Sequence, residues 1–426
     1  MTPEVRDRIE QIRCRNVPDG YKTTRKGIVP NEWTVQQIRD FAVISSGSTP
    51  NRGNPAYWNG DIPWVTTGEL EGGYITKTDE SITMQALSET SLRVYPVGTL
   101  LMAMYGQGKT RGTVAKLGIE ATVNQACAAI SLKEGDSEFV FYALQNAYND
   151  IRKLSNTGNQ ENLNADIIKT FFVIFPPVAE QQKIAEILTT QDKVIELKEK
   201  LLAEKQRQKK YLMQQLLTGK KRLPGYEDKW KYTELGKIAK KERAKNRNFI
   251  YDLVLSNSAQ HGIIPQTDQF DKEIASEDRI DGYYIVHDGF FVYNPRISAT
   301  APCGPINRNE TGKTGVMSPL YTVFSIESKI INTDFLRQYF SSSCWYSHMK
   351  SVANYGARHD RMNVSEDDFF LMPIPFPSIE EQTMISNALM AADKEIDLLR
   401  RSIEQEKQKK KALMQLLLTG IVRVNV

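Results

Sequence analysis

The chain has 426 residues, 40% of them hydrophobic and 25% charged, with a formal net charge of +4. That length exceeds one ordinary core and predicts two domains or more, and the composition is that of an ordinary globular protein. The mildly basic balance permits a nucleic-acid partner without requiring one, and four cysteines (Cys14, Cys127, Cys303, Cys344) without C-x-x-C spacing point to neither a zinc site nor a disulfide framework.

The N-terminus, MTPEVRDRIEQIRCRN, is charged from its fourth residue and lacks the apolar centre of a signal peptide. No stretch approaches the roughly 18 consecutive apolar residues of a membrane span. A reducing, cytoplasmic setting fits these features. In the first half, GTLLMAMYG (98–106) and QACAAISL (125–132) read as strands, and SEFVFYALQNAYNDIRKLS (137–155) as a helix. Between the strands, GQGKTRG (106–112) invites a nucleotide reading. A Walker loop needs glycine where Ala103 stands, and a dinucleotide fingerprint needs it where Arg111 stands. The segment is therefore read as a Gly-rich basic turn.

From Val178 to Thr218 there is no Gly or Pro, Pro176 and Pro177 precede the run, and Gly219 sits where a C-terminal cap belongs. A helix of that length spans roughly 55–60 Å at about 1.5 Å per residue. Ile184, Leu188, Ile195, Leu202, Leu212 and Leu216 give it an interrupted coiled-coil seam.

The second half starts with GYEDKWKYTELGKIA (225–239), which matches IVPNEWTVQQIRDFA (28–42), placing Trp33 on Trp230 and Ile38 on Leu235. LYTVFSI (320–326) reads as a strand and DFLRQYFSSSCWYSHMKSV (334–352) as a helix, at places corresponding to those of the first half. NTGNQENLN (156–164) and NYGARHDRMN (354–363) resemble each other in position and turn chemistry. No catalytic set emerges. GKT at 312–314 has Asn307 where a Walker glycine belongs, ESK (327–329) has no upstream Asp for a metal-dependent nuclease, and NPRI (294–297) lacks the second Pro and the aromatic of an adenine methyltransferase. The four histidines (His261, His287, His348, His359) form neither a close pair nor an HExxH.

A second long helix follows Pro377, with its seam at Ile385, Leu389, Ala392, Ile396, Leu399, Ile403, Leu413 and Leu417, broken at Glu406 and Lys410. Residues 175–219 and 376–420 align without a gap and are identical at 19 of 45 positions, including the endings LMQQLLTG and LMQLLLTG. Such a duplication sets the fold. The expected class is α+β: two similar mixed α/β globules joined by two long antiparallel coiled-coil helices in a pseudo-twofold. The divisions are residues 1–177, 178–219, 220–378 and 379–426. The basic stretches KQRQKK (205–210) and KQKKKA (407–412) are read as solvated helix faces.

This layout resembles the specificity subunit of type I restriction-modification systems. SGSTPNRGNPAYWNGDIPWVTTGEL (46–70), GTLLMAMYGQGKTRGTVAKLG (98–118), TVNQACAAI (122–130) and the PP-x-x-EQ entry to a helix ending LLTG carry the resemblance. The second globule departs from the TP…YW…IPWV pattern. The resemblance implies that each globule is a target recognition domain reading half of a bipartite, asymmetric site in double-stranded DNA. It implies that the helices set the spacing and dock two modification (methyltransferase) subunits and, with them, restriction/translocase subunits. S-adenosylmethionine, ATP and Mg would then belong to those partners, with no cofactor or catalysis in this chain. Candidate DNA contacts are Lys109, Thr110 and Arg111 in the first globule. In the second they are Asn307, Arg308, Lys313, Arg358, His359 and Arg361, since Arg pairs with guanine and Asn with adenine. The rival readings are a scaffold that binds no DNA and a stand-alone DNA nuclease or methyltransferase.

Overall fold

Proline before and glycine after each duplicated segment delimit two helices of equal length, Val178–Leu216 and Ile379–Leu417, each of 39 residues. Both end as a left-handed glycine predicts. Gly219 and Gly420 have φ of +68° and +74°, and the N–H groups of Lys221 and Val422 reach back to the carbonyls of Gln215 and Leu416. A Cβ at Gly420 would lie 2.5 Å from Pro30 Cδ, so close packing as well as backbone conformation calls for glycine there. The computed structural model describes all residues except 1, 2, 107, 155–161, 270–276, 355–359 and 426. Among the described residues, no helix is long and apolar enough to cross a membrane.

The chain groups into two compact units: residues 1–199 with 402–426, and residues 200–401. In the first, a five-stranded sheet runs in the order Ala42–Ser46, Cys127–Leu132, Leu100–Ala103, Val114–Leu117, Tyr74–Ile75. Its first four strands pair antiparallel, and Tyr74–Ile75 joins parallel to Val114–Leu117. A three-stranded sheet (Thr122–Val123, Trp58–Val65, Glu80–Ile82), the pair Thr34–Gln37 with Phe172–Phe175 and the hairpin Tyr21–Thr24 with Gly27–Pro30 also belong to it. The second unit has a four-stranded sheet in the order Ala239–Lys241, Thr322–Ile326, Phe291–Tyr293, Ile306–Arg308, and the pair Lys231–Glu234 with Pro373–Phe376. The order of the four antiparallel strands is the same in both units, although their sequences are unrelated. The expected helices 137–155 and 334–352 are each broken in two: Ser137–Asn146 with Tyr148–Lys153, and Thr333–Phe340 with Tyr346–Val352.

Seam residues at the helix ends are buried in the globule cores. In the first unit Ile184, Leu188, Leu417 and Leu418 join Trp33, Ile38, Phe41 and Phe139. In the second, Leu216, Leu217, Ile385 and Leu389 join Leu235, Phe291, Phe324 and Phe335. Within each unit, segments of the two long helices run antiparallel, held by cross-helix contacts. Lys410 binds Asp192 at 2.6 Å in the first unit, and Lys209 binds Asp393 in the second. These two pairs are one contact repeated at a shift of 201 residues. Lys198 and Gln191 each reach Glu406 at 2.8 Å. The polar breaks in the seam are thus occupied by complementary charge, as register-fixing polar positions in coiled coils are. Lys205 and Lys407, from the two basic stretches, likewise pair with Glu395 and Glu199.

The PP-x-x-EQ signature has a physical role in each unit. Glu180 has a side chain 1% exposed and accepts from Trp33 Nε1 at 3.2 Å and from the Arg423 guanidinium. Glu381, also 1% exposed, accepts from Trp230 Nε1 at 3.2 Å and from Arg222 at 2.7 and 2.8 Å. The next residue, Gln181 or Gln382, donates to the carbonyl of Pro176 or Pro377 and accepts from the N–H of Asp136 or Asn332. The alignments of Trp33 with Trp230 and Ile38 with Leu235 hold: the N–H of Ile38 bonds Phe171 O, and that of Leu235 bonds Met372 O.

Candidate nucleic-acid interface

Glycines shape the first candidate turn. Gly106, Gly108 and Gly112 have φ of +135°, +64° and +82°, closing the connection between Leu100–Ala103 and Val114–Leu117. Helix Tyr148–Lys153 braces the turn from outside its sequence. Tyr148 Oη donates to Lys109 O at 2.6 Å, and Arg152 donates to Arg111 O at 2.9 Å and to Tyr148 Oη at 3.0 Å. The turn is therefore held rigidly, with the Lys109 side chain in solvent and Thr110 half-buried over Gly106. Arg111 points the other way and is 7% exposed.

In the second unit, Asn309 organises the turn 309–314. Its side chain is 1% exposed, donates to Lys313 O at 2.9 Å and Val286 O at 3.3 Å, and accepts from Thr311. Gly312, at φ +70°, donates its N–H to Asp288 Oδ1 at 2.9 Å. Lys313 is exposed at the tip. Asn307 faces inward, donating to Asn257 Oδ1 at 2.7 Å and Ser258 O at 3.2 Å. Arg308 is held between Asp334, at 2.7 Å, and Glu310. Arg361 is half-buried beside Asp360 and bridges to Arg296 through its backbone. Arg358 and His359 lie outside the described residues, as does most of the compared pair 156–164 and 354–363.

Of the candidates, Lys109 and Lys313 thus stand at the tips of braced turns, whereas Arg111, Asn307 and Arg308 are engaged within their own globules. Sequence inspection passed over a further group in the first unit. The Arg52 guanidinium lies 4.1 Å from the Trp58 ring centroid and 4.9 Å from that of Trp64, and binds Glu80 through both carboxylate oxygens. The hydrogen bond from Arg52 holds the Glu80 carboxyl below its ordinary range. TP-NRG followed by YW is the only signal that could have suggested such a clamp. Trp33 and Trp64 are fully buried, as core aromatics. Among the described residues, no group of three or more His, Cys, Asp or Glu is placed to hold a metal ion.

A sequence profile described as the Type I restriction modification DNA specificity domain matches residues 30–206. The type I restriction enzyme MjaIX specificity subunit of Methanocaldococcus jannaschii is 34% identical over 186 residues, which is 42% of this chain and 42% of that one. The putative MjaX specificity subunit of the same organism is 24% identical over 95% of this chain and 97% of its own. Two solved structures share the fold at 14% identity. The S subunit of a type I restriction-modification system from M. genitalium has a TM-score of 0.53, covering 90% of this chain and 96% of that one. A chain from a structural description of complex assembly and conformational transition in the type I R-M system has a TM-score of 0.58, covering 92% and 99%.

Proposed function

We propose that the chain is a type I restriction-modification specificity subunit, as the profile match over residues 30–206 and the likeness to the putative MjaX subunit support, and that it is the non-catalytic subunit that reads a bipartite, asymmetric DNA site. In this reading each unit carries one reading head, and the long helices dock two modification subunits, through which restriction subunits join. S-adenosylmethionine, ATP and Mg belong to those partners. One observation supports the reading above others. The Glu–Arg and Asp–Lys contacts recur through the 201-residue repeat, with Trp33 matched by Trp230, while the globules they carry are largely unrelated in sequence between these anchors. A constant frame under variable tips is what two heads with different half-sites and a shared docking geometry require. Leu197 and Leu398, equivalent by the same shift, are 64% and 57% exposed, which gives the two partners a matched apolar contact.

The deciding experiment maps methylated adenines in a genome carrying the system before and after residues 20–175 are exchanged for another family member's first head. One half of the target should change while the other half and the spacer persist. A change in both halves sinks the two-head reading, and loss of all sequence preference favours the scaffold.

Lys109 and Lys313 serve as phosphate contacts in this proposal. Lys109→Ala should weaken binding about equally on all duplex sequences and reduce the slope of log affinity against log salt by about 1, with the methylated sequence unchanged. A changed recognition sequence with an unchanged salt slope would assign Lys109 to base reading.

A further inference from the structure

We propose that the loop 246–251 of the second unit is a DNA wedge, with Phe249 stacking on or between bases; this rests on the DNA-binding reading above. Among the described residues four non-glycines have positive φ (Arg15, Asn59, Asn248 and Phe249), and two of them are consecutive here, at +63° and +53°. The left-handed region is unfavourable for a bulky ring, and such strain persists only where surrounding structure over-determines it. Asn246 supplies that constraint. It is fully buried, its N–H bonds Tyr283 O at 2.9 Å, and its side chain grips Tyr251 through both the N–H, at 2.9 Å, and the carbonyl, at 2.7 Å.

The constrained loop does not tuck its apolar residues away. Phe249 is 53% exposed and Ile250 66%. A core-forming loop would bury both, so a rigid backbone that holds a ring in water is built to offer it to something. Charge identifies the occupant. Lys245 and Arg247 precede Phe249 in the same loop, are exposed, and form no ion pair among the described residues. Tyr251 meets the His287 ring edge-on at 6.3 Å, and His287 Nδ1 lies 3.1 Å from Thr314 Oγ1, beside Lys313. The wedge and the Lys313 turn therefore share one end of the unit. An apolar side chain set among cations suits a partner with stacked π-faces and phosphates, and apolar wedges of this kind enter between base steps. In the first unit the segment after the corresponding strand, Ala42–Ser46, presents instead the Arg52 clamp. The two heads thus differ in chemistry at one topological position, as readers of different half-sites would.

The test uses the full chain assembled with its modification subunits and a fluorescein-labelled duplex bearing the methylated site, with 2-aminopurine substituted along one half-site. Phe249→Asn keeps a residue that tolerates the left-handed conformation and removes the ring; Phe249→Trp keeps a ring. The expected result is about tenfold weaker binding for Phe249→Asn and loss of a 2-aminopurine signal at one step of the second half-site. Assembly and thermal midpoint should be unchanged, and Phe249→Trp should restore binding. Wild-type binding matched by Phe249→Asn overturns the wedge alone. So does weakened assembly with intact DNA affinity, which would make the loop a protein contact. A wild-type complex that does not bind the duplex overturns the DNA-binding reading and the wedge together.

Discussion

Arg222→Met should destabilise the second unit by about 3–5 kcal/mol, the cost of leaving one member of a buried ion pair without its partner. Glu381 is 1% exposed and takes both Arg222 nitrogens in a bidentate pair, with Trp230 Nε1 as the remaining donor. Methionine preserves most of the aliphatic stem, so packing changes little and the uncompensated carboxylate dominates. Pairing it with Glu381→Gln removes that charge, and the double variant should recover a large part of the loss. The readout is the urea midpoint of the transition reported by Trp230, which packs on the Arg222 guanidinium. A loss under about 1 kcal/mol would mean the pair behaves as a surface ion pair. Arg423→Met should cost less in the first unit, because Arg423 is 36% exposed and divides its bonds between Glu180 and the exposed Glu32.

The same triad shows which parts of the fold were legible. Trp33, Trp230 and the EQ pairs lie in repeated phrases, so duplication exposed them before any contact was known. Proline and glycine marked both long helices to within two residues. The broken helices were not legible. Neither Ala147 nor the stretch 341–345 carries Gly or Pro, and Ala147 leaves the helix only by its ψ of 5°. The candidate DNA residues show why residue type alone does not place a side chain. Arg111, Asn307 and Arg308 have the chemistry of base readers, yet their positions are set by Arg152, Asn257 and Asp334, from 26 to 50 residues away. Phe249 illustrates the converse. Its exposure depends on a left-handed backbone fixed by Asn246, and nothing in the string NRNFIYD announces that.

A chain truncated after Gly225 should dimerise and, with modification subunits, methylate a symmetric site made of two copies of the first half-site. The first unit is completed by residues 402–426, and the repeat places residues 201–225 at the same positions. Leu212, Met213, Leu216 and Leu217 stand for Leu413, Met414, Leu417 and Leu418, Arg222 for Arg423, and Lys209 for Lys410. One copy's 201–225 can therefore supply the other's apolar seam, the Glu180 partner and the Asp192 partner. One substitution opposes this. Lys205 stands where the intact chain has Glu406, the carboxylate that Lys198 and Gln191 hold down at about 2. Lys198 would then face Lys205 twice in a symmetric dimer. Lys205→Glu in the truncated chain should tighten the dimer severalfold, because it replaces two like-charge contacts with two ion pairs, and the gain should shrink as salt is raised. Sedimentation equilibrium of the two truncated chains decides it. Equal dissociation constants would show that the Glu406 contact does not carry over, and a truncated chain that stays monomeric at all concentrations would show that the repeat in sequence is not a repeat in interface.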